Sequence, residues 1–177
     1  MMTGKKIVIL AFVISFSFWL FPRESFSLSC LESLKGLEGV EVLVEELNGD
    51  LEDFNLTMIQ IQADVESKLG MADIKVLSKE ENEKIQPMRK PYLYIKISSF
   101  KPPSRREVIA FNVEIALNQQ VFLRGHPDFK KNFFYAPTWY KNIVGVTSGA
   151  KVLFIRDVVK DLTDKFISAY GTANPKK

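Results

Sequence analysis

With 177 residues, 46% of them hydrophobic and 25% charged, the chain is long enough to bury one core and too mixed in composition to be fibrous or disordered. Its 24 Lys and Arg against 21 Asp and Glu leave a net charge of +3, too small for the counterion-release attraction that marks nucleic-acid binders. A single Cys and a single His exclude an intrachain disulfide and the common zinc sites.

The first element is a leader. Lys5 and Lys6 precede an uncharged apolar run over 7–21, which breaks at Pro22, Arg23 and Glu24 before Ser25 and Ser27. A positive start, an apolar middle and small residues before the cut are the pattern of a cleavable signal peptide, expected to span 1–27. The apolar run is shorter than the roughly 20 residues that cross a bilayer as a helix. An uncleaved anchor is the first alternative. A lipidated Cys30 is the second, although Ser27, Leu28 and Ser29 make a poor lipidation signal. The leader carries three cations against one anion, so residues 28–177, expected to form one exported domain, hold a net charge of +1. The expected location is periplasmic or secreted.

Val40, Val42 and Val44 alternate with Glu41 and Glu45, which predicts a half-buried strand over 40–45. Asn48, Gly49 and Asp50 supply a turn. Thr57 and Gln60 form a capping box ahead of Met58, Ile61, Val65 and Leu69, one apolar stripe of a helix that Gly70 is placed to end. A short strand over 74–77 then makes a strand-helix-strand unit, the arrangement of a parallel pair. Ser78 with Glu81 caps one further helical turn.

Leu93, Ile95 and Ile97 set a strand over 92–100, and Pro102 with Pro103 ends it in a loop. Ile109, Phe111, Val113, Ile115, Leu117, Val121 and Leu123 share one parity, with Asn112, Glu114, Asn118 and Gln120 on the other. That is a long strand with one buried and one wet face. A turn at Gly125, His126, Pro127 and Asp128 returns the chain into a strand over 133–146, bent near Pro137. Ile155, Val158, Val159, Leu162, Phe166 and Tyr170 recur at helical spacing up to Gly171, expected to stop the helix. The expected fold is α+β, in the order β-α-β-β-β-β-α: a mostly antiparallel sheet with two helices on one face.

Two stretches resemble a family of uncharacterised exported bacterial proteins. The first runs Gly36-Leu37-Glu38-Gly39-Val40-Glu41-Val42-Leu43-Val44-Glu45-Glu46-Leu47, with Leu56-Thr57 and Asp64-Val65-Glu66-Ser67-Lys68-Leu69. The second runs Ile155-Arg156-Asp157-Val158-Val159-Lys160-Asp161-Leu162, with Asn174-Pro175. The resemblance implies an envelope or secreted location and no known activity. It does not extend to the basic loop around Arg105 or to the stretch from His126 to Phe134.

Residues that carry chemistry are sparse. His126 reads as a loop histidine without a nucleophile beside it. The segment 145–149 lacks the spacing of a serine elbow and of a phosphate loop. Asp50, Glu52 and Asp53 lack the glycine and terminal glutamate of a calcium loop. Asn55-Leu56-Thr57 matches a glycosylation sequon, but Thr57 is already used as a helix cap. Glu45, Glu46 and Glu114 make an acid-base pair only if sheet register aligns two of them. No cofactor is expected.

The distinctive stretch is aromatic and basic: Phe129, Lys130, Lys131, Phe133, Phe134, Tyr135, Trp139, Tyr140 and Lys141. Rings occupy both parities of a strand that a core can cover on one face, so some of them are expected to be exposed. Phe133, Phe134, Tyr135, Trp139, Tyr140, Lys130, Lys131 and Lys141 are therefore the candidate interaction surface, fitting an envelope protein or a glycan. A non-enzymatic binding or scaffolding module is the leading expectation, and a secreted hydrolase the alternative.

Overall fold

The computed structural model describes residues 28–47, 51, 55–105, 107–122 and 133–176. The predicted leader over 1–27, the turn residues Asn48, Gly49 and Asp50, and His126 with Lys130 and Lys131 lie outside the described residues. Among the described residues no helix is long and apolar enough to cross a membrane.

The chain is α+β. In order, its elements are α1 (Leu28–Leu34), β1 (Glu41–Val44), α2 (Met58–Met71), α3 (Lys79–Ile85), β2 (Tyr92–Phe100), β3 (Val108–Val121), β4 (Phe134–Ser148), a 3-10 turn (Gly149–Lys151) and α4 (Phe154–Ala173). The four strands form one sheet in the order β1-β2-β3-β4. β1 runs parallel to β2, and the other two pairs are antiparallel, so the sheet is mixed. α4 contacts both α1 and α2, and all three pack against one side of the sheet.

Sequence pattern and structure agree most closely where a period is long. In β2, Leu93, Ile95 and Ile97 are buried, and in β3 the same is true of Ile109, Phe111, Val113, Ile115 and Leu117. These alternate residues face the helices, which return Ile61, Val65, Leu69, Ile155, Val158, Val159, Leu162 and Phe166 to the same core. Gly145 lies opposite Phe111 across the β3–β4 ladder, where a Cβ would come within 2.5 Å of the ring. Only a glycine lets the phenyl ring lie against the strand there.

Both capping boxes form. The Thr57 hydroxyl accepts from the Gln60 amide, and the Ser78 hydroxyl from the Glu81 amide, each with the reciprocal side-chain bond. The predicted stops differ. Gly70 lies inside α2, which ends one residue later and closes in a Schellman turn: the Ile74 amide bonds to the Leu69 carbonyl at 2.9 Å and that of Asp73 to Gly70 at 3.1 Å, with Asp73 at φ 59°. The aspartate takes the left-handed position expected of a glycine, since closing the turn buries both Leu69 and Ile74. Gly171 likewise lies inside α4. That helix continues because Asn174, one residue past its end, fastens it: the side chain donates to the Leu34 carbonyl at 3.0 Å and accepts from the Gly36 amide at 2.7 Å.

Three further expectations are corrected. Residues 74–77 form a single parallel bridge, Val40 to Val76, in place of a strand, because the chain turns at once into the Ser78 cap. The sheet thus has four strands, and the extended parallel partner of β1 is β2. The described residues include four helices, not two. α1 was not predicted; it rests on α4 and β4, with Leu34 buried and Cys30 half-buried against the core. Its C-terminal carbonyls are held by Arg89, whose guanidinium donates to Ser33 O at 2.6 Å, Lys35 O at 2.9 Å and Gln119 Oε1 at 3.0 Å. A cation at a helix C-terminus satisfies orphan carbonyls and opposes the negative end of the helix dipole.

Candidate interaction surface

No described helix covers the other face of the sheet, and register determines what that face shows. Leu43, Tyr94, Ala116 and Tyr140 lie in one row across the four strands; Glu41, Tyr92, Asn118 and Pro137 lie in the next. Tyr135, opposite Gln120, extends the same face. Its ring sits 5.5 Å from that of Tyr92 and 6.3 Å from that of Phe133, and its hydroxyl accepts from Gln120 Nε2 at 3.1 Å. Four of the five tyrosines in the chain therefore share one face that no described helix covers.

Tyr135 and Tyr140 differ by an odd number of residues, so strict alternation would put them on opposite faces. A bulge prevents that. Leu117 pairs with Trp139 and Asn118 with Pro137, leaving Thr138 as an extra residue. Pro137 is tolerated here because β4 is an edge strand and the ladder is already interrupted. The bulge turns Trp139 into the core, where it is 2% exposed and meets the Phe166 ring edge-on at 5.3 Å. Of the candidate surface residues, Trp139 is thus core. Phe133 and Phe134 are each 49% exposed, Tyr135 45% and Tyr140 46%. Lys141 shares the parity of Trp139 and Ile143, on the helix-covered side, and is half-buried.

Beside the tyrosine rows lies a charged row. Lys96 stands opposite Glu114 in the β2–β3 ladder, and its ammonium lies 3.3 Å from the Glu45 carboxylate. The register brings Glu45 and Glu114 to one face with Lys96 between them, and leaves Glu46 exposed outside β1. The Glu45 carboxylate accepts a hydrogen bond from the Tyr94 hydroxyl, and this bond, aided by Lys96 against the cost of burial, holds its carboxyl below the usual value. A carboxyl held by such bonds is stabilised as its anion. Among the described residues no group of three or more His, Cys, Asp or Glu is placed to hold a metal ion.

Tyr94 shows the other side of the same bond. Hydrogen bonding to Glu45, then burial and the nearby negative charge, push its phenol up to about 12. A folded value raised above the unfolded one contributes stability that is complete below about pH 10 and is lost as pH rises toward 12. In an alkaline titration followed by tyrosine ring NMR, Tyr94 is expected to ionise near pH 12, and Glu45→Gln to bring it back toward 10. An unchanged Tyr94 in the variant counts against the bond.

A concavity of about 690 Å³ lies where β4 ends and α4 begins, lined by Val146, Leu153 and Phe154 with Lys151, Arg156 and Lys160. No protein-family model matches the chain, nor does any curated protein sequence.

Proposed function

We propose that this chain is an exported cell-envelope protein, a non-enzymatic binding or scaffolding module that meets an envelope protein through the open tyrosine face of its sheet. One observation carries the reading: Tyr92, Tyr94, Tyr135 and Tyr140 share a sheet face that no described helix covers. Tyrosine gives a large contact area at low entropic cost, with a hydroxyl to fix orientation, and is enriched in contact surfaces for that reason. The charged row of Glu45, Lys96 and Glu114 lies beside these rings and suits the choice of one partner over another. Export is supported by the leader pattern around Lys5, Lys6 and Pro22 and by the resemblance to exported bacterial proteins.

The test is a photo-crosslinking benzoylphenylalanine placed at Tyr140, with a control at Ile59, which is 76% exposed on α2. The expected result is a discrete envelope adduct from position 140 that is lost when Tyr135 is also replaced by Ser, with thermal stability unchanged. The same adducts from both positions, or none from 140, would reject the reading, and an adduct only with cell-wall glycan would replace the protein partner by a sugar. N-terminal sequencing of the recovered protein tests export separately, with a start at Leu28 or Cys30 expected.

A further inference from the structure

β4 is an edge strand of 15 residues whose two halves are built differently. The first half carries the features that stop another strand from adding to an edge: Pro137, the bulge at Thr138, and Lys141 on the inward parity. α1 also comes close there, the Ser33 hydroxyl lying 3.2 Å from the Thr138 carbonyl. The second half, residues 142–148, has no proline, no charge and no bulge. Among the described residues no strand pairs with its outer side. Val144 and Val146 stand 74% and 69% exposed on the open face, and Phe100, 62% exposed, lies in the same row as Val146.

This half-edge runs directly into the concavity of about 690 Å³. One wall is apolar, from Val146, Leu153 and Phe154. The rim is cationic, from Lys151, Arg156 and Lys160, with Asp157 as the carboxylate among the lining residues. Arg156 is held in place by Asp64, at 2.7 and 2.9 Å, and Lys160 lies 3.7 Å from Asp157, whereas Lys151 is exposed at the mouth. The positive end of the 20-residue α4 opens beside them, and its N-cap, Leu153, makes no side-chain cap bond.

We propose that residues 142–148 form a docking edge for an extended acidic peptide segment of a partner protein. The segment adds a strand to β4, covers Val144 and Val146, and sets an apolar side chain and carboxylates into the cleft at the start of α4. This site lies at the edge of the sheet beyond the tyrosine rows, and the proposal does not rest on them. Unpaired edge groups supply the affinity and the cleft supplies the choice of sequence, as in other strand-addition complexes. Charge decides against the alternatives. The cationic rim favours an acidic segment over a second copy, whose own residues 142–148 carry no carboxylate to meet it. A bilayer would leave the open backbone edge without hydrogen-bond partners.

The probe is a fluorescein-labelled peptide of about eight residues, alternating valine and threonine and ending in two aspartates. Anisotropy is measured against the protein recovered from its producing cells. Binding is expected, weakened about tenfold by Lys151→Glu and restored by Lys151→Arg, with unchanged melting in both variants. A lysine-ended peptide should not bind. N-methylation of one set of alternate peptide residues should abolish binding, while methylation of the other set leaves it within about twofold, because only one set faces β4. Equal effects of the two sets, equal binding of the lysine-ended peptide, or no binding at about 1 mM would overturn the proposal. So would a doubled mass in sedimentation that Val144→Pro reverses, which assigns the edge to a second copy. Binding to phosphatidylglycerol vesicles that the peptide does not displace would assign the patch to lipid.

Discussion

Val113→Asp is expected to unfold the domain or to cost about 4 kcal/mol or more, the effect of burying a carboxylate with no partner. Val113 is fully buried in the middle of β3, between Ile97 of β2 and Ile143 of β4. Most domains hold only about 5–15 kcal/mol in total, so urea denaturation of the variant should begin at much lower concentration or show no transition. The adjacent residue is the control. Glu114→Gln should change stability by about half a kcal/mol or less, since Glu114 is on the open face. Glu114→Lys looks equally mild from the alternation alone, but register places Lys96 directly opposite, and two facing cations should cost up to about 1 kcal/mol. Equal losses for Val113→Asp and Glu114→Gln would show that the two faces of β3 have been exchanged.

Trp139→Ala should cost about 3–5 kcal/mol, whereas Tyr140→Ser next to it should cost about 1 kcal/mol or less. Trp139 is enclosed by the core and packs on Phe166, while the Tyr140 ring stands 46% exposed on the other face. Its indole N–H has no hydrogen-bond acceptor among the described residues. Trp139→Phe removes that donor and keeps much of the packing, so it should be far milder than alanine. The chain has two tryptophans, and the other, Trp19, lies in the predicted leader. In protein lacking the leader, emission therefore reports Trp139 alone, and it should be blue-shifted and resist quenching by iodide until the domain unfolds. A red-shifted, easily quenched emission would return Trp139 to the surface.

Where a single short-range rule applies, the residues announce their structure. The alternation from Ile109 to Leu117 needs only a core on one side, and the Thr57–Gln60 and Ser78–Glu81 boxes close within four residues. The stripe from Ile155 to Phe166 is equally local. Glycine as a stop was the weak rule: Gly70 and Gly171 are tolerated inside helices because long-range ties, the Leu69–Ile74 burial and the Asn174 bonds to Leu34 and Gly36, set the helix ends. α1 escaped notice for a similar reason. It is a short helix, and isolated short helices are marginal; it is held by Arg89, 55 residues or so along the chain, and by contact with α4.

The candidate surface shows the same division. That aromatic residues crowd 133–140 on both parities is visible in the sequence, and so is the conclusion that one core cannot cover them all. Which rings are left uncovered depends on one extra residue, Thr138, whose bulge moves Trp139 inward and puts Tyr135 on the same face as Tyr140. Only pairing with β3 creates that bulge, and only the register of β2 on β3 adds Tyr92 and Tyr94 to the face and sets Lys96 opposite Glu114. The α+β class, the long strand and the terminal helix are legible in the residues alone, because periodicity and caps act between near neighbours. Tertiary structure decided strand order, the parallel seat of β1, the open face and the free half of β4, because those depend on contacts between residues far apart in the chain, which no local pattern encodes.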